Sequence, residues 1–135
     1  MSNTKFATYL HILTLMAKEG DIYLSSEYLS SSINIHPVII RKNLSELRSS
    51  GLIESKEGKT GGSKLARPAK KIKLSEIYNL VNDNSALGKS NTPNPACNVG
   101  KQINKHLEQL YETVDKKIIK ALGKESLQDF ANKFK

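Results

Sequence analysis

Apolar residues recur at helical spacing along most of this chain, and the interruptions divide it into six helical stretches and one short β pair. Thr4–Lys18 sets Phe6, Leu10, Leu13 and Ala17 on one face, while Ile12, Leu15 and Met16 add apolar surface elsewhere around the axis. A helix that is apolar on most sides is expected to lie sandwiched between other elements, and Gly20 stops it. Ser25–Ile33 predicts a short helix with Ser25 as N-cap and Glu27 in the first turn. After the turn Asn34–Ile35, the segment His36–Ser50 starts with Pro37, suited to a first helical position where no N–H is needed. Its Ile40, Leu44 and Leu47 fall on one face, and Val38, Arg41, Lys42, Ser45 and Ser49 on the other, with Gly51 placed to close it.

Leu52–Glu57 reads as a strand, Gly58–Gly62 as a turn, and Lys64–Ala66 as the returning strand. Ser75 is expected to cap a short helix whose apolar residues are Ile77, Leu80 and Val81. Asp83–Asn98 is rich in Asn, Ser and Pro and predicts a loop. Beyond it, Val99, Ile103, Leu107, Leu110, Val114, Ile118 and Ala121 form one stripe along a helix of roughly 35 Å. Gly123 ends that helix. Ser126 and Asp129 then fit an S-x-x-D start for a last helix containing Leu127, Phe130 and Phe134.

Three helices followed by a hairpin predict a mainly α fold with a small β-hairpin, a winged helix-turn-helix. In that arrangement the third helix buries Ile40, Leu44 and Leu47 and presents its cations and hydroxyls, which bond phosphates and base edges. An outward Val38 suits a thymine methyl, or else packs on a neighbouring element. The hairpin tip Gly58–Gly62 is the wing, where glycines permit close backbone approach. Lys59, Lys64 and Arg67 flank it, and a narrow minor groove attracts such cations.

Charge sharpens this picture. The net formal charge is +8, and residues 36–74 hold ten Lys or Arg against three Asp or Glu. Such concentration is what a polyanionic partner requires, although a solvated basic face without a partner has the same composition. A chain of 135 residues with 38% hydrophobic residues fits one domain whose core would gain from oligomerisation. The first twenty residues do not read as a signal peptide. No apolar run approaches the roughly 18 residues of a membrane span. A single cysteine excludes an internal disulfide framework, so a cytoplasmic location is expected.

Four segments together resemble one family: His36–Arg41 (HPVIIR), Leu44–Ile53 (LSELRSSGLI), Gly61–Pro68 (GGSKLARP) and Ile72–Ile77 (IKLSEI). They are similar to the Rrf-two family, also called BadM/IscR, of bacterial winged-helix transcription regulators. The resemblance spans nearly the whole chain. It implies a division into a DNA-binding domain (1–83), a linker loop (84–98) and a dimerisation helix with a C-terminal helix (99–135). It also implies a homodimer in which long helices cross through Val99, Ile103, Leu107, Leu110, Val114 and Ile118. Two recognition helices would then lie about one DNA turn apart, roughly 34 Å, on a near-palindromic operator. The candidate DNA-contacting residues are Lys5, Ser26, His36, Pro37, Val38, Arg41, Lys42, Ser45, Lys59, Gly61, Gly62, Lys64 and Arg67. A stripe packed only on its own domain is the alternative for the long helix.

Several members of that family hold an iron–sulfur cluster through three cysteines near the start of the long helix. Here Cys97 is alone, and His11, His36 and His106 are scattered, so no cofactor or metal is expected. Other members, the HypR-like and YwnA-like groups, resemble thiol-based sensors, and Cys97 falls in the corresponding linker. A thiol beside a helix N-terminus and Lys101 would favour its thiolate and react with oxidants; a half-buried cysteine without a role is the plain alternative. No phosphate-binding glycine loop or nucleophile–base pair points to an enzyme. The expected function is a sequence-specific DNA-binding regulator, a repressor, responsive to redox through Cys97. Two alternatives stay open: a winged-helix dimer that binds an acidic protein, and a regulator responding to a small molecule bound near the dimer helix, where the sequence shows no pocket.

Overall fold

Helix α1 (Lys5–Glu19) runs through the centre of the computed structural model, which describes residues 4–135. Helices α2 (Ser26–Ile33) and α3 (Pro37–Ser49) follow, then strands β1 (Ile53–Lys56) and β2 (Gly62–Leu65), and a 3-10 turn at Ala69–Lys71. Helices α4 (Leu74–Val81), α5 (Gly100–Leu122) and α6 (Leu127–Ala131) complete the chain. The architecture is the expected one, mainly helical with a two-stranded antiparallel hairpin in which Ile53 pairs with Leu65 and Lys56 with Gly62.

The all-round apolar character of α1 explains its position. Tyr9, Ile12, Leu13 and Met16 are fully buried, covered by α2, α4, α6 and β2. Helix α2 starts where Ser25 Oγ accepts the Tyr28 N–H at 3.1 Å. It stops at Asn34, whose φ of 64° turns the chain sharply into α3. At the far end of α3, Gly51 N–H donates to the Arg48 carbonyl and Leu52 N–H to the Leu47 carbonyl. This paired closure needs a left-handed residue, and Gly51 has φ 84°.

The hairpin is tighter and better anchored than the sequence indicates. Its turn ends at Gly61, and Gly62 belongs to β2. Leu24 forms an antiparallel bridge with Ser63, with both N–H···O distances 2.8 Å, so the wing is stitched to the segment between α1 and α2. Gly62 (φ 152°) lies so close that a Cβ there would stand 2.4 Å from the Leu24 carbonyl oxygen.

Two helix boundaries differ from expectation. Helix α4 is capped at Lys73, because the Glu76 carboxylate turns back to accept the Lys73 N–H at 3.0 Å; Ser75 lies inside the helix. Helix α6 starts on Ser126 and Asp129 as expected, but it ends at Ala131, and Phe134 follows in a turn, half-exposed. Leu127 and Ala131 are fully buried. Leu127 N–H donates to the Ile72 carbonyl at 2.8 Å, and Leu74 N–H to the Glu125 carbonyl at 3.0 Å. The last helix thus packs on α1 and closes the core of the N-terminal head.

The loop ahead of α5 carries no helix or strand but is tied down along that helix. Asp115 accepts from Ser85 Oγ at 3.1 Å and from the Ala86 N–H at 3.0 Å. Asn104 Nδ2 donates to the Asn91 carbonyl at 2.9 Å. Among the described residues α5 contributes no buried side chain; Val99 is 65% exposed and Leu110 52%. Toward its C-terminal end, Ile118 and Leu122 face Phe6, Tyr78 and Val81 across a cleft.

Replacing Gly62 with alanine is expected to cost about 2–3 kcal/mol in urea unfolding, because strain and a backbone clash add. Gly58→Ala has a positive φ but open space around it, and about 1 kcal/mol is expected there. Equal losses at the two sites would show that Gly62 and Leu24 are not in close contact.

Candidate nucleic-acid interface

The third helix is shaped at its start by two residues acting together. His36 is its N-cap: the imidazole Nδ1 accepts the Val38 N–H at 3.1 Å, which leaves Nε2 as the ring's donor. Pro37 occupies the first turn. Ile40 and Leu47 are fully buried, as is most of Leu44, so the opposite face is turned outward. On it Val38 is 55% exposed and Ile39 48%, and Arg41, Lys42, Ser45 and Ser49 are exposed. Ile39 was not singled out by spacing, since an isoleucine beside Ile40 reads as core until the helix is oriented. Arg41, Lys42 and Lys59 make no ion pair among the described residues. The exposed turn residue Lys59 sits at the wing tip, while Ser26, in the first turn of α2, directs its hydroxyl toward Glu27 at 3.3 Å.

Other candidate cations have structural partners. Lys64 pairs with Asp21 in a short contact and with Glu54 at 3.7 Å, and its ammonium lies 4.7 Å from the centroid of the Tyr23 ring. Its side chain is only 19% exposed. Arg67 holds Glu76 through both terminal nitrogens, at 2.7 and 3.3 Å, and also donates to the Lys71 carbonyl. These two residues fasten the base of the wing to the segment between α1 and α2 and to α4. Gly61 and Gly62 are likewise committed to close packing, a Cβ on Gly61 falling 2.2 Å from the Lys56 carbonyl oxygen. All four are thus engaged within the domain while staying partly exposed: ion pairs hold Lys64 and Arg67, and close backbone approach constrains Gly61 and Gly62.

Lys5 lies 3.0 Å from Glu46 on α3 and 5.6 Å from the centroid of the Tyr9 ring. The Tyr9 hydroxyl donates to the same Glu46 carboxylate in a short hydrogen bond. Burial, and then the adjacent carboxylate, push the Tyr9 hydroxyl well above its ordinary range. The hydrogen bonds from Tyr9 and Lys5 hold the Glu46 carboxyl below its usual range. This triad sets α3 against α1, and sequence spacing gives no sign of it because 37 residues separate Tyr9 from Glu46.

With an exposed reading helix on a braced three-helix head and a wing beside it, the molecule is a winged-helix transcription regulator in architecture. The chain belongs to the Rrf2 family, described as "Iron-dependent Transcriptional regulator", which matches residues 2–133. It is 35% identical to YwnA of Bacillus subtilis, classed as an HTH-type transcriptional regulator, over 98% of each chain. Its fold is shared with CymR, the global cysteine regulator of B. subtilis (TM-score 0.74, 22% identity, covering 100% of this chain and 98% of that one). It is also shared with IscR of T. potens (TM-score 0.72, 21% identity, covering 100% and 88%). The family and these relatives are transcriptional regulators, not enzymes.

The donor set does not fit the iron of the family description. Among the described residues, no three His, Cys, Asp or Glu side chains converge on a common point. Cys97 is exposed, and its sulfur accepts the Gly100 N–H at 3.4 Å. Lys101 N–H donates to the Cys97 carbonyl at 2.9 Å, so the cysteine sits in the turn that leads into α5, just ahead of the N-cap Val99. One thiolate per chain does not complete the usual cluster ligation.

Arg67 is the largest cause of the lowered Glu76 carboxyl. A carboxyl lowered on folding adds stability above its unfolded pKa, about 4.3, and loses it as pH falls through the folded value. Urea midpoints are therefore expected to hold from pH 7 to about 5 and to drop below about 4. The double variant Glu46→Gln, Glu76→Gln should be less stable at pH 7 and show a shallower acid limb; an unchanged limb would place the acid sensitivity elsewhere.

Proposed function

We propose that this chain is a homodimeric, sequence-specific DNA-binding repressor that reads a near-palindromic operator in the cytoplasm. The observation that carries the reading is the outer face of α3. Val38, Arg41, Lys42 and Ser45 stand exposed together, and among the described residues neither cation is held in an ion pair. Such a mixture bonds base edges and phosphates and offers a methyl-bearing contact to thymine. His36 and Pro37 lie at the helix end that enters the major groove in this class of motif. Lys59 is the wing's outward cation; Ser26 and Lys5 border the reading helix, with Lys5 reaching a phosphate only by sharing itself with Glu46.

The dimer rests on α5. Val99, Ile103 and Leu110 are exposed on a helix long enough to cross a second copy, and Leu107 and Val114 continue the same stripe. Ile118 closes it where the helix meets the head. No described helix is long and apolar enough to cross a membrane, so a second copy is the natural cover. Leu110→Glu is expected to shift light scattering from dimer to monomer; a monomeric unchanged chain at micromolar concentration would remove the dimer.

A redox response through Cys97 is the second element. An oxidant such as hypochlorite or a peroxide takes two electrons from the thiolate and leaves a sulfenic acid. That acid condenses with a small thiol, releasing water and forming a mixed disulfide. Either product replaces the sulfur that now caps Gly100 at the start of α5.

Fluorescence anisotropy on DNA from upstream of its own gene, against scrambled DNA, tests the whole. Specific binding that weakens steeply with salt is expected. Arg41→Ala should cost about 1–3 kcal/mol and relax specificity, and Lys59→Ala should weaken all sequences alike and flatten the salt slope by about one. Mild oxidant should reversibly remove specificity, and Cys97→Ser should abolish that effect. Salt-sensitive binding without sequence preference on any DNA would favour an acidic protein partner instead.

A further inference from the structure

Beside α1, on the flank away from α3, lies a cleft that the DNA-binding reading does not use. Its volume is about 370 Å³, and its lining is mostly apolar. Leu10 and Leu15 form one wall, and Phe130 and Phe134 the other. The two rings are 5.5 Å apart and tilted by 59°. Phe134 is 48% exposed although a cleft large enough to receive apolar matter adjoins it.

The polar groups of the lining are chiefly cationic or neutral donors. Lys18 and His11 are both on the α1 side, seven residues apart and so about 10 Å along the axis. Lys18 Nζ donates to the Phe134 carbonyl at 2.6 Å, a neutral acceptor that a carboxylate would outbid. His11 Nε2 lies 3.1 Å from Ser32 Oγ on α2, which connects this end of the cleft to the helix-turn-helix. No carboxylate side chain lines the cleft among the described residues.

We propose that this cleft is a binding site for a small anionic amphipath, an apolar chain or ring carrying one carboxylate. The apolar body lies between Leu10, Leu15 and the two phenylalanines, and the carboxylate takes Lys18 from the Phe134 carbonyl. The volume falls in the range of small-molecule sites, and an apolar lining with few placed polar groups is their usual make-up. Charge complementarity selects the head group. The site is on a different face from the α5 stripe, so it requires neither the dimer nor the DNA reading.

Calorimetric titration of the full chain with decanoate, and with decyltrimethylammonium as a tail-matched cation, tests it. Saturable binding of one decanoate per chain is expected, with the cation weaker by about fivefold, the size of one partly exposed charge pair. Lys18→Gln should remove that preference while leaving tail binding. Leu15→Trp should fill the cleft and abolish binding, with circular dichroism showing a retained fold; if it does not fold, Phe134→Ala, at a half-exposed position, should weaken both ligands. The proposal is overturned by no binding, by equal affinity for the two head groups, or by cleft variants that bind as the unchanged chain does.

Discussion

The enclosure of α1 is the constraint on which the rest of this structure depends. A helix with Tyr9, Ile12, Leu13 and Met16 fully buried must be covered on several sides, and each such side chain stabilises the fold by roughly 1.5–3 kcal/mol. The cover comes from distant parts of the chain: α2 and β2 from the head, α4 after the wing, and α6 from the end. Recognition helix, wing and C-terminus are therefore attached to one rod. The pose of α3 is then fixed by the hydroxyl of Tyr9, a residue of that rod, acting on Glu46.

Within the basic block the cations divide into two kinds. Lys64 and Arg67 lie where the wing meets the head, and their carboxylate partners hold the hairpin at one angle. Arg41, Lys42 and Lys59 project outward. The first group gives the second a fixed geometry, and a positioned charge contributes more to recognition than a mobile one. Composition alone counts both kinds together.

What could be read from the sequence follows from the range of the interactions. Helix existence, the Ser25 and Ser126 caps, the Gly51 closure and the outward face of α3 depend on residues within a turn or two, and the residues state them directly. The Rrf-two resemblance added the overall architecture. The Leu24–Ser63 bridge, the Tyr9–Glu46 bond and the return of α6 onto α1 join residues tens of positions apart, which no local period encodes. The start of α4 was displaced because Glu76 reaches back to the Lys73 N–H, so the cap is supplied from inside the helix and not by the serine. The ion pairs of Lys64 and Arg67 escape local spacing for a similar reason: their partners come from other elements.

The straps on the loop before α5 have a mechanical consequence. A free polar segment of the length of residues 83–98 would let its ends wander by about 20 Å. Anchored by Asp115 and Asn104, it is instead laid along the helix as a splint. In the proposed dimer the two heads would then behave as the jaws of a set calliper, and a spacer longer or shorter by half a helical turn would turn one jaw toward the wrong side of the duplex. Discrimination would thus extend to the distance between half-sites as well as the bases within them.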